Sequence, residues 1–211
     1  HVAFPHGARI DTGVRGGDRI SAYYDPMIAK ITSHAATRTE ALFRLREALG
    51  ATHVAGTATN LGFLQALCRD ADFAAGQMDT GLIGRKQDAL THVGPPEDAA
   101  VLFAAMAALD LDPARPHFGF RLWGSASRRV ELVSDGALVA RDLRLLGPGT
   151  IAVEDGWHVA RFEAVSVSGG EMRALQGGRN LRAHVARAGG AVSVLLDGRI
   201  PDFALIDPLA G

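Results

Sequence analysis

The chain has 211 residues, enough for one large domain or two modest ones, and its 47% hydrophobic and 21% charged residues are those of an ordinary globular protein. Its 22 basic and 23 acidic side chains nearly cancel to a formal charge of −1, and no long basic stretch is present to neutralise a phosphate backbone, which argues against nucleic acid as a partner. No apolar run approaches the roughly 20 residues that cross a bilayer, arguing against a membrane partner, and the single cysteine, Cys68, excludes an internal disulfide and suits a reducing compartment.

The first residues, His1 to Pro5, lack the charged and apolar stretches of a signal peptide, and without an initiating Met the chain reads as a fragment. Gly7 to Asp11 and Ile20 to Tyr24 read as short strands around a turn at Arg15-Gly16-Gly17-Asp18. Met27 to Ser33 is a third strand, with Met27, Ala29 and Ile31 on one face. Thr37 and Glu40 have capping-box spacing for a helix whose Leu42, Leu45 and Leu49 share a face, and Gly50 offers a left-handed stop. A second helix runs from about Asn60 to Cys68. A third is capped by Asp79 or Thr80 and buries Leu82, Ile83 and Leu90.

The pattern changes near residue 92, across the linker-like run Thr91 to Pro96. Pro95-Pro96-Glu97-Asp98 opens a helix, with proline in its first turn and two acids at the positive end of its dipole. It continues to Leu109 and is apolar over most of its circumference, as a helix surrounded by other elements would be. Nine strand candidates follow: 118–123, 129–134, 138–146, 150–154, 157–167, 171–176, 181–187, 191–196 and 202–206. Turn pairs such as Asp135-Gly136 and Asp197-Gly198 separate them, so an antiparallel meander is expected, closed as a barrel or folded as a sandwich. The fold class is therefore α+β, in two domains of different character.

Sequence signals for a complete active site are missing: no phosphate-binding G-x-x-x-x-G-K-[ST] loop, no G-x-S-x-G elbow and no H-E-x-x-H pair. The eight histidines are scattered, so no metal site is expected. One dense polar constellation stands out: Arg9, Asp11, Asp18, Tyr23, Tyr24, Asp25 and Lys30. Strand alternation puts Arg9 and Asp11 on one face. Their spacing suits either a fixed cation that stabilises developing negative charge or an ordinary surface ion pair.

The run from Arg9-Ile10-Asp11-Thr12-Gly13 to Tyr23-Tyr24-Asp25-Pro26-Met27-Ile28-Ala29-Lys30 closely resembles the end of the biotin carboxylase domain of biotin-dependent carboxylases. Gly56, Thr59-Asn60 and Phe63-Leu64, then Phe73, Gly76 and Asp79-Thr80, resemble later stretches of the same family in the same order. The second part is similar, more loosely, to the subunit-joining (BT) domain of acyl-CoA carboxylase α subunits. Asp79 to Ile83 looks more like methylcrotonyl-CoA than propionyl-CoA carboxylases.

The resemblance implies residues 1–91 as an α/β remnant of the biotin carboxylase C-terminal subdomain, 92–207 as an antiparallel barrel around a central helix, and 208–211 as the start of a linker. By the same resemblance Arg9 takes the place of a catalytic arginine near the ureido oxygen of biotin. Biotin on a carrier domain, and ATP with magnesium on upstream residues, would be the cofactors. The carboxyltransferase β subunit and the biotin carrier domain would be the partners. The compartment would be the cytoplasm, or the mitochondrial matrix in a eukaryote. The isolated chain is expected to be inactive, since the family's nucleotide-binding and biotinyl-lysine motifs are absent from it. Alternatives are a non-catalytic assembly module and the equivalent part of a propionyl- or acetyl-CoA carboxylase.

Overall fold

The computed structural model describes residues 1–206 apart from 21, 22, 24, 93, 116, 117, 120 and 189. The backbone divides into two compact units, His1–Pro95 and Pro96–Gly211.

In the first unit, β1 (Val2–Ala3) pairs antiparallel with β4 (His53–Val54), and β2 (Arg9–Thr12) with β3 (Ala29–Thr32). Four helices complete it: α1 (Arg38–Ala51), α2 (Leu61–Arg69), α3 (Ala71–Ala74) and α4 (Leu82–Thr91). The Thr37 hydroxyl caps α1 as its spacing predicts, accepting the Glu40 N–H at 3.2 Å. The reciprocal half of the box does not form, because the Glu40 carboxylate pairs instead with Arg44 at 2.5 Å, one turn further on.

Gly50 is not a left-handed stop; it lies inside α1. Buried side chains end the helix instead. The Thr52 hydroxyl donates to Ala48 O at 2.8 Å, and Gln65 of α2 donates its amide to Leu49 O at 3.3 Å, so carbonyls that the helix leaves open find partners.

Helix α4 starts at Leu82 rather than on Asp79 or Thr80; Asp79 holds the approach by accepting the Gly81 N–H at 2.9 Å. Its buried residues are Leu82 and Leu90, while Ile83, expected inside, is 49% exposed. The strand expected over Ile20 to Tyr24 is absent at Ile20 and at Tyr23, which sits in a turn; residues 21, 22 and 24 lie outside the described ones. The turn before it forms as read, with Asp18 N–H donating to Arg15 O at 3.1 Å and Arg15 N–H to the Asp18 carboxylate at 2.8 Å.

The second unit opens with α5 (Asp98–Ala108) and continues as β5 (Ala126–Ser134), β6 (Ala137–Gly147), β7 (Thr150–Glu154), β8 (Val159–Ser168), β9 (Glu171–Gln176), β10 (Arg179–Ala188), β11 (Ala191–Leu196) and β12 (Asp202–Leu205). The eight strands are antiparallel and closed, because β12 returns to β5 with Ala204 opposite Val133 and Leu205 opposite Leu132. Closure settles the choice between barrel and sandwich and removes the sheet edges. Asp135-Gly136 and Asp197-Gly198 adopt the positive φ angles that tight hairpins need.

Of the nine strand candidates, 118–123 is not a strand at its described residues, and residue 120 lies outside them. Gly119 sits there at φ +69°, so close to the barrel that a Cβ on it would lie 2.8 Å from Leu145 Cβ. Gly119 is therefore laid against the wall rather than paired into it.

Ala99 to Ala107 of α5 are all buried and share one core with inward residues of the barrel strands, among them Leu132, Leu143, Phe162 and Phe203. Alanine at five of these helical positions keeps the helix thin while Phe103 and Met106 fill space. Each large apolar side chain buried in this way contributes about 1.5–3 kcal/mol. Asp98 in the first turn accepts from Arg141 at 3.4 Å and lies 3.1 Å from His158 Nε2, placing a carboxylate at the positive helix end.

Candidate functional site

The constellation picked out in the sequence falls on the β2–β3 ribbon and its flanks. Cross-strand register sets Arg9 opposite Thr32 and Asp11 opposite Lys30. Strand alternation then gathers all four side chains on one face, and all four residues are exposed. Ile10, Ala29 and Ile31 share the other face and are half-buried, whereas Met27, expected beside them, is exposed.

Arg9 donates from Nε to both carboxylate oxygens of Asp11, at 3.2 and 3.1 Å. Its terminal guanidinium nitrogens make no hydrogen bond among the described residues and are free to meet an oxyanion. The side chain is 76% exposed, so the pair with Asp11 adds little stability.

The remaining members shape the backbone instead. Asp18 closes its turn, and Asp25 accepts the Met27 N–H at 2.9 Å across Pro26. No hydrogen bond or ion pair joins Arg9 to Asp25 among the described residues. Tyr23 is fully open to solvent, and Tyr24 lies outside the described residues. The ribbon thus brings Arg9, Asp11 and Lys30 onto one face, while Asp18 and Asp25 accept from backbone N–H groups of their own loops.

Behind the ribbon the first unit holds an open apolar groove of about 760 Å³, lined by Ile28, Ala29 and Ile31 from the ribbon side and by Leu45, Leu64 and Cys68 from the helices. Burial pushes the Cys68 thiol up, against the opposing pull of Arg46 and Arg69. It is held as a thiol rather than a nucleophilic thiolate.

Two features of the second unit escape sequence reasoning. Trp157 is fully exposed at the β7–β8 turn, and Leu122 and Trp123 are 82% and 90% exposed before β5. Exposed tryptophan is a common anchor of protein interfaces, but alternation alone reads Trp157 as part of a strand. On the outer wall, Arg173 and Arg182 both reach Glu171 at 2.5 Å and hold its carboxyl below the ordinary range. Arg173 and Arg182 are direct cross-strand neighbours, so this carboxylate relieves a like-charge contact.

Among the described residues no group of three or more His, Cys, Asp or Glu side chains is placed to hold a metal ion. The ribbon face offers one carboxylate, already paired, and that does not make a magnesium site. No helix among the described residues is long and apolar enough to cross a membrane.

Residues 1–85 match the family described as the biotin carboxylase C-terminal domain. The chain is 31% identical over 195 residues to the mitochondrial methylcrotonoyl-CoA carboxylase subunit alpha of Dictyostelium discoideum, covering 84% of this chain and 28% of the relative. That coverage exceeds the length of either unit, so the likeness extends into both. The corresponding subunit of Arabidopsis thaliana is 39% identical over 106 residues, covering 50% of this chain and 14% of the relative. A putative urea carboxylase of Emericella nidulans is 46% identical over 70 residues, covering 33% of this chain and 6% of the relative. The chain thus spans about a quarter or less of the curated relatives it matches.

Proposed function

We propose that this chain, a relative of the α subunits of biotin-dependent carboxylases, is the end of a biotin carboxylase domain followed by a subunit-joining barrel. In this reading residues 1–91 belong to the C-terminal subdomain of the biotin carboxylase, 92–207 form the joining domain with α5 as its central helix, and 208–211 begin a linker to a biotin carrier domain. The observation that carries the reading is the match of residues 1–85 to the biotin carboxylase C-terminal domain.

The complete subunit would use ATP and bicarbonate to carboxylate biotin for transfer to an acyl-CoA, of which methylcrotonyl-CoA is the one favoured by the likeness to the Dictyostelium and Arabidopsis subunits. Nucleotide, magnesium and biotin would be held by other parts of that subunit, and among the described residues no metal cluster is found. The barrel would dock the carboxyltransferase β subunit, with Trp157 as a natural anchor because it buries nothing in the chain itself. The mitochondrial relatives suggest the matrix in a eukaryote, and the cytoplasm otherwise.

Within this chain the residue assigned to chemistry is Arg9. Asp11 orients its guanidinium through Nε, and the terminal N–H groups are left to stabilise negative charge on the ureido oxygen. A second reading makes the Arg9–Asp11 pair a surface ion pair with no part in the reaction, and the exposure of Arg9 favours it.

One experiment on the complete subunit separates these roles. Arg9→Ala should lower biotin carboxylation by about 10²–10³ while the subunit still co-purifies with its β partner. Deletion of residues 92–207 should abolish co-purification. Normal turnover in Arg9→Ala removes Arg9 from the chemistry and leaves the surface reading. Undiminished assembly after the deletion removes the docking role.

A further inference from the structure

The arginines of the second unit are almost all committed. Nine of its twelve pair with a carboxylate, and among the described residues the exceptions are Arg121, Arg128 and Arg187. These three are not scattered. In β5 the inward series Ser134, Leu132, Val130 continues to Arg128, and in β10 the series Leu181, Ala183, Val185 continues to Arg187. On each strand an exposed guanidinium thus takes a place in the core-facing series, between Val130 and Ala126 in β5 and after Val185 in β10.

Arg128 and Arg187 belong to the end of the barrel at which α5 finishes. Leu111, whose N–H returns to Met106 O at 2.8 Å, lines one cleft together with Arg128, and Arg187 acts electrostatically on Asp110. A helix C-terminus attracts cations, and that attraction alone would account for arginines nearby. It does not account for the space that Arg121 and Arg128 line. Two clefts, of about 440 and 330 Å³, adjoin and share Phe118, Gly119, Arg121 and Leu145. Arg115 and Ser125 line the first, Ser127 and Arg128 the second, and among the described residues no carboxylate lines either.

We propose that these adjoining clefts bind a small phosphate-bearing ligand with an apolar body. Arginine forks match phosphate oxygens bidentately, and the serines add hydroxyl donors. Phe118, Leu145 and Leu146 supply the apolar wall. The volumes fall in the range of small-molecule sites rather than of extended protein interfaces. Gly119 is what seats Phe118 and Arg121 together, since any side chain there would strike Leu145. The site does not depend on the carboxylase reading.

The test is calorimetric titration of the 211-residue chain with inorganic pyrophosphate at about 0.15 M salt, where unspecific surface attraction is screened, with the arginine Nε–H signals followed by NMR. Saturable binding is expected to move the Arg121 and Arg128 signals. The double variant Arg121→Ala with Arg128→Ala should weaken it by about tenfold or more, the loss of one or two charge-assisted hydrogen bonds. Arg161→Ala, which removes an outer-wall arginine paired with Glu163, should leave it unchanged. Replacing Arg121 and Arg128 with Lys keeps charge and fold, and should give an intermediate affinity. Absence of saturable pyrophosphate binding, or equal binding by the double alanine variant, overturns the site. Binding of an acidic peptide in place of pyrophosphate, lost in the same variant, overturns it in favour of a protein partner.

Discussion

Among the described residues, four other than glycine take a positive φ: Asp110, Asp135, Ala164 and Asp197. Aspartate tolerates that region because its short side chain bonds locally. Ala164 has no such compensation at φ +48°. It sits where β8 shifts register against β9 between Glu163 and Ser166, and the neighbouring Val165 N–H is tied to Gly149 O at 2.9 Å. The bulge is thus imposed by the ladder, and alanine pays about 1–2 kcal/mol for it. Glycine would remove that strain but add about 0.4–1 kcal/mol of unfolded-state entropy to be lost. The difference favours glycine, so Ala164→Gly is expected to stabilise the barrel by about 0.5–1 kcal/mol. Urea denaturation would show this as a higher midpoint at unchanged slope; a lower midpoint would mean that the bulge is not strained.

At the scale of elements, legibility follows length and period. Strand alternation over 150–154, 171–176 and 191–196 is long enough to fix each element to its residue, and α1 carries its cap in Thr37. The four-residue α3 and the two-residue β1 and β4 have no period to read. Arg9 and Asp11 share a face by alternation alone, but Lys30 joins them only through a cross-strand register that no local pattern states. The arginines at the barrel end are legible in neither way, because a charged residue on an inward series looks like the end of the strand.

What holds α3 is electrostatic. Asp70 accepts the Asp72 and Phe73 N–H groups at 3.1 Å and meets Lys86 of α4 at 2.6 Å; Lys86 also reaches Asp72 at 2.7 Å. The Lys86 ammonium, then the Phe73 N–H, hold the Asp70 carboxyl below its ordinary 3.8, and the two carboxylates hold Lys86 above its ordinary 10.5. A lowered carboxyl stabilises the fold above its unfolded value and loses that effect as pH falls through the folded one. A raised ammonium stabilises below its unfolded value and loses the effect as pH rises through the folded one. The cluster is therefore at full strength between the two ordinary values. Thermal unfolding followed on the Phe73 and Ala74 amide signals should show a lower midpoint at about pH 3 than at about pH 6. Asp70→Asn should lower the midpoint at the higher pH and flatten the difference. A variant with the same pH dependence as the parent would show that the cluster does not hold α3.

The two units differ most in what they bury. The second encloses a continuous core in which α5 and the barrel strands contribute fully buried side chains such as Phe103, Phe162 and Phe203. The first buries only short stretches around Leu49, Val54, Leu61 and Leu82, and its apolar groove leaves the inner face of β3 half covered. Burial stabilises at about 25 cal/mol per Å², while ordering each residue costs a similar amount in both units. The first unit must then be the weaker, and as a compact unit by itself it is expected to open first. Urea should therefore unfold the chain in two steps, with the signals of α1 and α2 lost first and those of the barrel later. Limited proteolysis should cut within residues 1–95 and leave a resistant piece beginning near Pro96. A single transition shared by both sets of signals would show that the barrel's stability is transmitted to the first unit. In that case its open groove would not mark it as the part that yields first.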